Sequence, residues 1–538
     1  MGAFYNKFHR ISAAFTAIIL LLTLIGCKDY SADAVIRYEV KKLPLTLDPQ
    51  LASSPTELTI VANIFEGLYR LDQEGKPVPG VAESHEKSED GLKYTLKIRK
   101  NAKWRGDKDL TAHDFVYAFK RAADPLNKAP LANTLDCIKN MGKILNGEMQ
   151  LNMLGVTAVE DKLLEIELEY DNPEFLSLLC MPIAMPCNEA YFVDTAGRYG
   201  LAADTILTNG SFRVFNWQEK SVKLTAWDDY KGPFKANSAA VVVSIRESDM
   251  QETVIQRLVA GEIDCVSITD AEALDAQSAG LKVFNTQNIS YVMYINPKIA
   301  GDVGKLPRIL KGAYNCERFR KNEEALKYLE FADSLIPRSV LLGGAPLREQ
   351  SSTAYDFSFR PEEMKALLLE EVKNMKDAKV PPITLKYVDV LGIKEIATAV
   401  AIDWQESLGV YVNVESAAAD SLLKMTETGD FQVVIVPISG ADSTAAAFFA
   451  NFRSGLKTNP LKYFDPTFDK VYDDFIAHQY DSDALTYAQG AERILAQSDN
   501  IIPLAFGSTR CAVSSSILDF VYPASGTNID FAFMHKKS

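Results

Sequence analysis

Residues Leu47–Pro125, LDPQLASSPTELTIVANIFEGLYRLDQEGKPVPGVAESHEKSEDGLKYTLKIRKNAKWRGDKDLTAHDFVYAFKRAADP, carry the most regular pattern in the chain. Val61, Ile64, Phe65 and Leu68 recur at helical spacing, which predicts an amphipathic helix over about 57–67 closed by Gly67. After the Asp90-Gly91 turn, Leu92, Tyr94, Leu96 and Ile98 alternate with Lys93, Thr95 and Lys97, the pattern of a half-buried strand. Thr111 and Asp114 read as a capping box with Asp in place of the usual Glu, and Phe115, Ala118, Phe119 and Ala122 supply the apolar face of the helix that follows. Turns at Pro77–Gly80 and Trp104–Asp109 separate these units.

Working outward, the same stretch contains Leu47-Asp48-Pro49, Phe65-Glu66-Gly67-Leu68, Pro79-Gly80-Val81-Ala82-Glu83-Ser84, Trp104, Leu110-Thr111-Ala112, Asp114-Phe115 and Asp124-Pro125. Beyond it come Thr208-Asn209-Gly210-Ser211-Phe212, Trp217, Leu224, Tyr230, Ala260-Gly261-Glu262-Ile263-Asp264, Asp465-Pro466 with Phe468-Asp469, and Ile501-Ile502-Pro503-Leu504. In this order and spacing the set resembles the family 5 bacterial extracellular solute-binding proteins, the peptide-binding components of ABC importers. The resemblance implies an α/β, two-lobed periplasmic binding protein fold (class II, type C), with an extra domain in the first lobe and a hinge between the lobes. It also implies the division 1–26 signal peptide; 27–66, 206–289 and 506–538 the three parts of domain I; 67–205 domain II; and 290–505 domain III, the second lobe. The chain also departs from the family in places. Trp104 is followed by Arg105-Gly106-Asp107, an adhesion-like tripeptide standing where the family has an ordinary turn, and Asn315–Arg320 and Leu335–Arg338 align only loosely.

Residues 1–26 read as an export signal: Lys7 and Arg10 precede an apolar core from Ala13 to Ile25 that is shorter than a comfortable membrane span. The core ends at Gly26-Cys27, the pattern of a bacterial lipoprotein box, so Cys27 is the expected lipidation site. Hydrophobic residues at 47% and charged residues at 24% describe an ordinary globular chain, long enough for two or three domains. The net charge, 57 − 71 = −14, together with the lack of a basic run, argues against nucleic acid. Cys137, Cys180, Cys187, Cys265, Cys316 and Cys511 fit no metal-ligand spacing; Cys180 and Cys187 are near enough for a local disulfide, with small buried hydrophobes the favoured reading. No G-x-S-x-G, H-E-x-x-H, P-loop or G-x-G-x-x-G occurs, so neither an enzyme nor a cofactor is expected.

In the C-terminal half, Met364, Leu368 and Val372 follow Pro361 as a helix. Ile383, Leu385 and Tyr387 form a strand, and Ile396, Val400, Trp404 and Leu408 a helix stopped by Gly409. Val410, Val412 and Val414 form a second strand, a helix runs to Thr428, and Phe431–Val436 is a third strand. This βαβαβ order predicts a parallel sheet with ligand at the carboxyl ends of its strands. The resemblance implies an extended peptide paired to Leu51–Thr56 (Ser53, Ser54, Pro55) and to Pro437–Gly440 (Pro437, Ile438, Ser439, Gly440), with Ser267 and Tyr291 beside it. Asp442 is the expected anchor for the ligand's α-ammonium, one position late in register. Where oligopeptide binders carry cations for the ligand carboxylate, this chain has Thr426 and Ile435, with Lys424 near. The expected function is that of a lipid-anchored periplasmic receptor, monomeric, passing peptides to an inner-membrane permease with its ATPase subunits. The alternatives are the same fold holding a murein peptide, nickel complex or haem, and a surface lipoprotein in adhesion or chaperoning.

Overall fold

The computed structural model describes residues 34–172, 174–247, 251–300, 304–373, 380, 382–440, 443–456, 458–479, 481–523 and 529–537. The signal segment with Cys27, and Asp442, lie outside the described residues. Among those described, no helix is long and apolar enough to cross a membrane.

One large mixed sheet runs through both halves of the molecule. In chain order its strands are β1 (Val35–Val40), β2 (Phe212–Gln218), β3 (Ser221–Ala226), β4 (Ala240–Ile245), β5 (Cys265–Ile268), β6 (Lys282–Ile295), β7 (Ile383–Val388), β8 (Val412–Ala417), β9 (Val433–Ile438) and β10 (Ile501–Val513). Their spatial order is β8-β7-β9-β6-β10-β5-β1-β4-β3-β2, with the short strand Glu330–Phe331 also paired to β10. A separate four-stranded antiparallel sheet (Ala82–Lys87, Lys93–Ile98, Leu163–Glu167, Val156–Glu160) decorates the first half.

Two hydrophobic cores sit at opposite ends of the large sheet. One joins residues between Ile36 and Val243 with Cys265 and the 511–534 tail, and the other joins residues between Tyr291 and Ala505. They define two lobes linked by the long antiparallel pair β6–β10. At the first-lobe end β5 reinforces β10 from Arg510 to Val513; at the second-lobe end β9 reinforces β6 from Ser290 to Ile295. Between them, Asn285–Ile289 faces Gly507–Arg510, and a register shift falls between Gln287 and Ile289. A bulge in a lightly supported ribbon is where a sheet bends most readily.

The second lobe has the expected parallel order: β7 pairs in parallel with both β8 and β9. The helix Ile393–Leu408 ends where Gly409 takes a left-handed φ of 71°. The third strand begins at Val433 rather than Phe431, because Asn296 Nδ2 donates to the Phe431 carbonyl (2.7 Å) and Asn296 N to that of Gln432 (2.9 Å). In the first lobe the helix spans Pro55–Ile64 and stops short of Gly67. A Cβ on Gly67 would lie 2.7 Å from the Leu179 carbonyl oxygen, so Gly67 serves a close approach of backbones rather than a helix cap. The Thr111–Asp114 capping box forms, with Asp114 Oδ2 accepting from Thr111 N (2.8 Å) and Trp104 Nε1 (3.2 Å).

Candidate functional site

A cavity of about 350 Å³ opens between the lobes, within the range of ligand sites. The first lobe supplies most of its wall: Leu58, Ala62 and Phe65 from the first helix and its exit, Met181, Pro182 and Met185, and Phe533 from the tail. The second lobe closes the other side with Leu341, Gly343, Gly344, Ser443 and Thr444. Gly343 and Gly344, both at positive φ (59° and 78°), form a two-residue hairpin turn between Leu341–Leu342 and Ala345–Pro346. Leu341 N donates to the Ser443 carbonyl (2.6 Å), fixing this hairpin to the segment that follows β9, at the carboxyl end of the parallel sheet.

The charged floor belongs to the first lobe. Arg70 is paired with Asp530, and its guanidinium lies 4.4 Å from the centroid of the Phe234 ring. Glu66 is paired with Arg99 and accepts from Tyr230 Oη (2.7 Å). Burial pushes the Glu66 carboxyl above the ordinary glutamate range, against the opposing pull of Arg99 and Arg70. Burial likewise drives the Tyr230 phenol up, reinforced by the charge of Glu66 beside it. Among the described lining residues Arg70 is the one cation, and it is already engaged.

Ser54 caps the first helix and Pro55 is its first residue; the amides of Ser53 and Ser54 both donate to Glu57 Oε2 (3.0 and 2.9 Å). Those donors are therefore spent inside the protein. Tyr291 is 4% exposed in the second core, its ring against Gly507, and Ser267 lies on β5 with its carbonyl accepting from Arg246. Ile438 is buried, Pro437 and Ser439 are exposed, and the Ser439 carbonyl accepts from Asn451 Nδ2 (3.0 Å). Past Ile435 the pairing of β9 with β7 ends, so among the described strands Val436–Ile438 is paired with β6 alone. None of these residues lines the cavity. Thr426 and Ile435 are buried in the second lobe, Lys424 is exposed, and none of the three reaches the cavity.

The residues that do line the cavity were hidden from sequence reasoning for a simple cause. Arg70 and Asp530 are 460 positions apart, and no local pattern connects them. The Gly343-Gly344 turn did carry a signal, a Gly-Gly dipeptide between short apolar pairs. All six described cysteines are free: Cys180 is partly buried at the cavity wall, the other five are buried, and burial raises the thiols of both Cys180 and Cys187. Among the described residues no group of His, Cys, Asp and Glu could hold a metal ion.

Comparison with known proteins places this architecture. Residues 76–460 match the family described as bacterial extracellular solute-binding proteins, family 5. The periplasmic oligopeptide-binding protein of Salmonella typhimurium is 28% identical over 490 residues, covering 86% of this chain and 85% of the relative. The periplasmic murein peptide-binding protein of Escherichia coli is 27% identical over 444 residues, 80% of each chain. The substrate-binding domain of an oligopeptide ABC transporter from Bacillus anthracis superposes with a TM-score of 0.76 at 25% identity, over 95% of this chain and 100% of that one.

Proposed function

The chain belongs to the family 5 bacterial extracellular solute-binding proteins, and within that family we propose that it captures peptides between its lobes and hands them to an inner-membrane ABC permease. The observation that carries the reading is the cavity itself, walled by both lobes of a molecule whose halves are joined by the long strand pair β6–β10. A ligand seated there touches both lobes, so it binds the closed arrangement better than the open one and shifts the population toward it. The free edge of β9 at Val436–Ile438 offers a place for an extended backbone, and the relatives named for peptides support that class of ligand. The Gly26-Cys27 pattern supports a lipid anchor in the cell envelope.

Mass spectrometry of what an acid-denatured preparation releases tests the ligand class. Short peptides are expected; a metal chelate, haem or other non-peptide solute as the released species overturns the reading. For the anchor, Cys27→Ala is expected to leave the membrane fraction or to accumulate as precursor. Unchanged, lipid-labelled, membrane-bound variant would exclude it.

A further inference from the structure

We propose that Glu174 is a specificity-determining residue of this cleft, selecting peptides that bring a lysine or arginine side chain into it; the inference rests on the cleft being a peptide site. The cavity wall is mainly apolar, and its charges fall into two groups. Arg70 with Asp530, and Glu66 with Arg99, are matched within the protein. Glu174 and Asp72 are not: neither pairs with a cation among the described residues. Asp72 is still partly answered, since its Oδ1 accepts from the amides of Glu74 (3.0 Å) and Lys76 (2.8 Å), which close a turn. Glu174 has only the Ser177 hydroxyl, donating to Oε2 at 3.2 Å, and Oε1 has no protein donor among the described residues.

Glu174 is half-buried, so in the open cleft water answers its charge. A ligand that fills the cavity displaces that water. An apolar or anionic ligand then leaves a carboxylate desolvated beside apolar atoms, which is costly, whereas an ammonium or guanidinium supplies the missing partner. The opposite wall reinforces the choice, because Leu341, Gly343, Gly344, Ser443 and Thr444 bring no charge when the lobes meet. With Arg70 already committed to Asp530, no cation of the described lining is left for an acidic side chain. Among the described lining residues, Glu174 is thus the one that discriminates by charge.

The test uses the full-length protein, freed of bound ligand by unfolding and refolding, and a peptic digest of casein as the probe. Retained peptides are identified by mass spectrometry for wild type and for Glu174→Gln, which keeps shape and the Ser177 contact. Wild type is expected to enrich lysine- and arginine-containing peptides about tenfold or more over neutral ones of similar length, and Glu174→Gln to lose that enrichment while still retaining peptides. A second measurement needs no variant: the best-retained sequence is synthesised with lysine and with Nε-acetyl-lysine, and both are titrated by calorimetry into wild type. Equal affinity for that pair, or enrichment unchanged in Glu174→Gln, overturns the role of Glu174 and leaves the peptide reading standing. Retention of no peptide at all by wild type overturns the peptide reading, and this inference with it.

Discussion

The two walls of the cleft are built on different principles. The first lobe meets the ligand space with Arg70, Asp530, Glu66 and Glu174, most of them locked in ion pairs and flanked by Phe234, Phe533 and Tyr230. Among the described residues, the second lobe meets it with an uncharged hairpin tip and two hydroxyl residues. Among the described residues the charged groups of the cleft therefore belong to one lobe, while those of the other cover it. The division suits a capture device, because the ion-paired lobe is organised before the ligand arrives and the described residues of the other add contact area without charge on closure.

The contrast can be broken most forcefully by disturbing the ion pairing that organises the first lobe. Arg121 holds Asp48 through Nη1 (3.0 Å) and Nη2 (2.5 Å) and Gln50 through Nη1 (2.6 Å), in a site where Arg121 is 7% and Asp48 2% exposed. This interaction ties Leu47–Ala52, and through it the start of the first helix, to the helix Ala112–Ala123. Arg121→Met removes one partner and strands a buried carboxylate, at a cost of about 3–5 kcal/mol. Because the two cores are separate, denaturant unfolding followed by tryptophans of each lobe (Trp104 and Trp404) is expected to show the first lobe melting earlier with the second unchanged. A single, jointly shifted transition would mean that the lobes unfold as one unit.

A smaller effect is expected at two glycines that shape opposite walls for different reasons. Gly67 has no room: the Leu179 carbonyl stands 2.7 Å from the site of a Cβ, so Gly67→Ala forces backbone apart and costs about 1–3 kcal/mol. Gly344 has open space around it but a φ of 78°, so Gly344→Ala pays only for the left-handed backbone, about 1–2 kcal/mol. The two variants separate by ligand affinity as well as by melting temperature. Gly67→Ala is expected to distort the wall and weaken binding in proportion to its instability, whereas Gly344→Ala leaves the first-lobe site intact. Equal losses of affinity at equal stability would deny the division of labour between the walls.

Much of the scaffold was legible because its signals are local. Alternation along Leu92–Ile98 predicts the strand found at Lys93–Ile98, and the period of Ile396, Val400, Trp404 and Leu408 predicts the helix that Gly409 ends. Boundaries slipped where tertiary contacts compete with local preference: Gly67 answers to Leu179, and Phe431-Gln432 to Asn296, both distant in sequence. The cleft was less legible than the fold, since its floor is assembled from Arg70, Glu174 and Asp530, residues whose types are ordinary and whose spacing carries no period. The segment Leu51–Thr56 shows the limit of reading extended chain from position alone. Ser54-Pro55-x-Glu57 is a capping signal, and it spends the amides that an added strand would need.

The smallest expected effect lies inside the second lobe and tests whether a buried carboxylate sets that lobe's response to pH. Glu492 is 1% exposed and meets no cation among the described residues; its carboxylate accepts from the hydroxyls of Ser351, Tyr355 (3.1 Å) and Ser334 (3.5 Å), pinning the 334–355 segment to the helix Ala484–Gln497. Burial raises its carboxyl above the ordinary glutamate range, with the hydroxyl bonds opposing only in part. For an acid whose folded pKa is raised, the folded state binds the proton more tightly than the unfolded state. The stabilising effect is then fully present below the unfolded value and is lost as pH rises through the folded one. Wild-type second-lobe stability should therefore increase as pH falls from neutrality toward the ordinary glutamate range. Glu492→Gln keeps the shape without the charge: its amide oxygen accepts from Tyr355 and Ser334, and its NH2 donates to the Ser351 hydroxyl, which can accept as well as donate. It should be more stable than wild type at neutral pH by about 1 kcal/mol, the scale of one hydrogen-bond adjustment, and should lose this advantage as pH falls. Melting curves of both proteins across that pH range decide the matter, and parallel curves would show that Glu492 does not set the second lobe's response to pH.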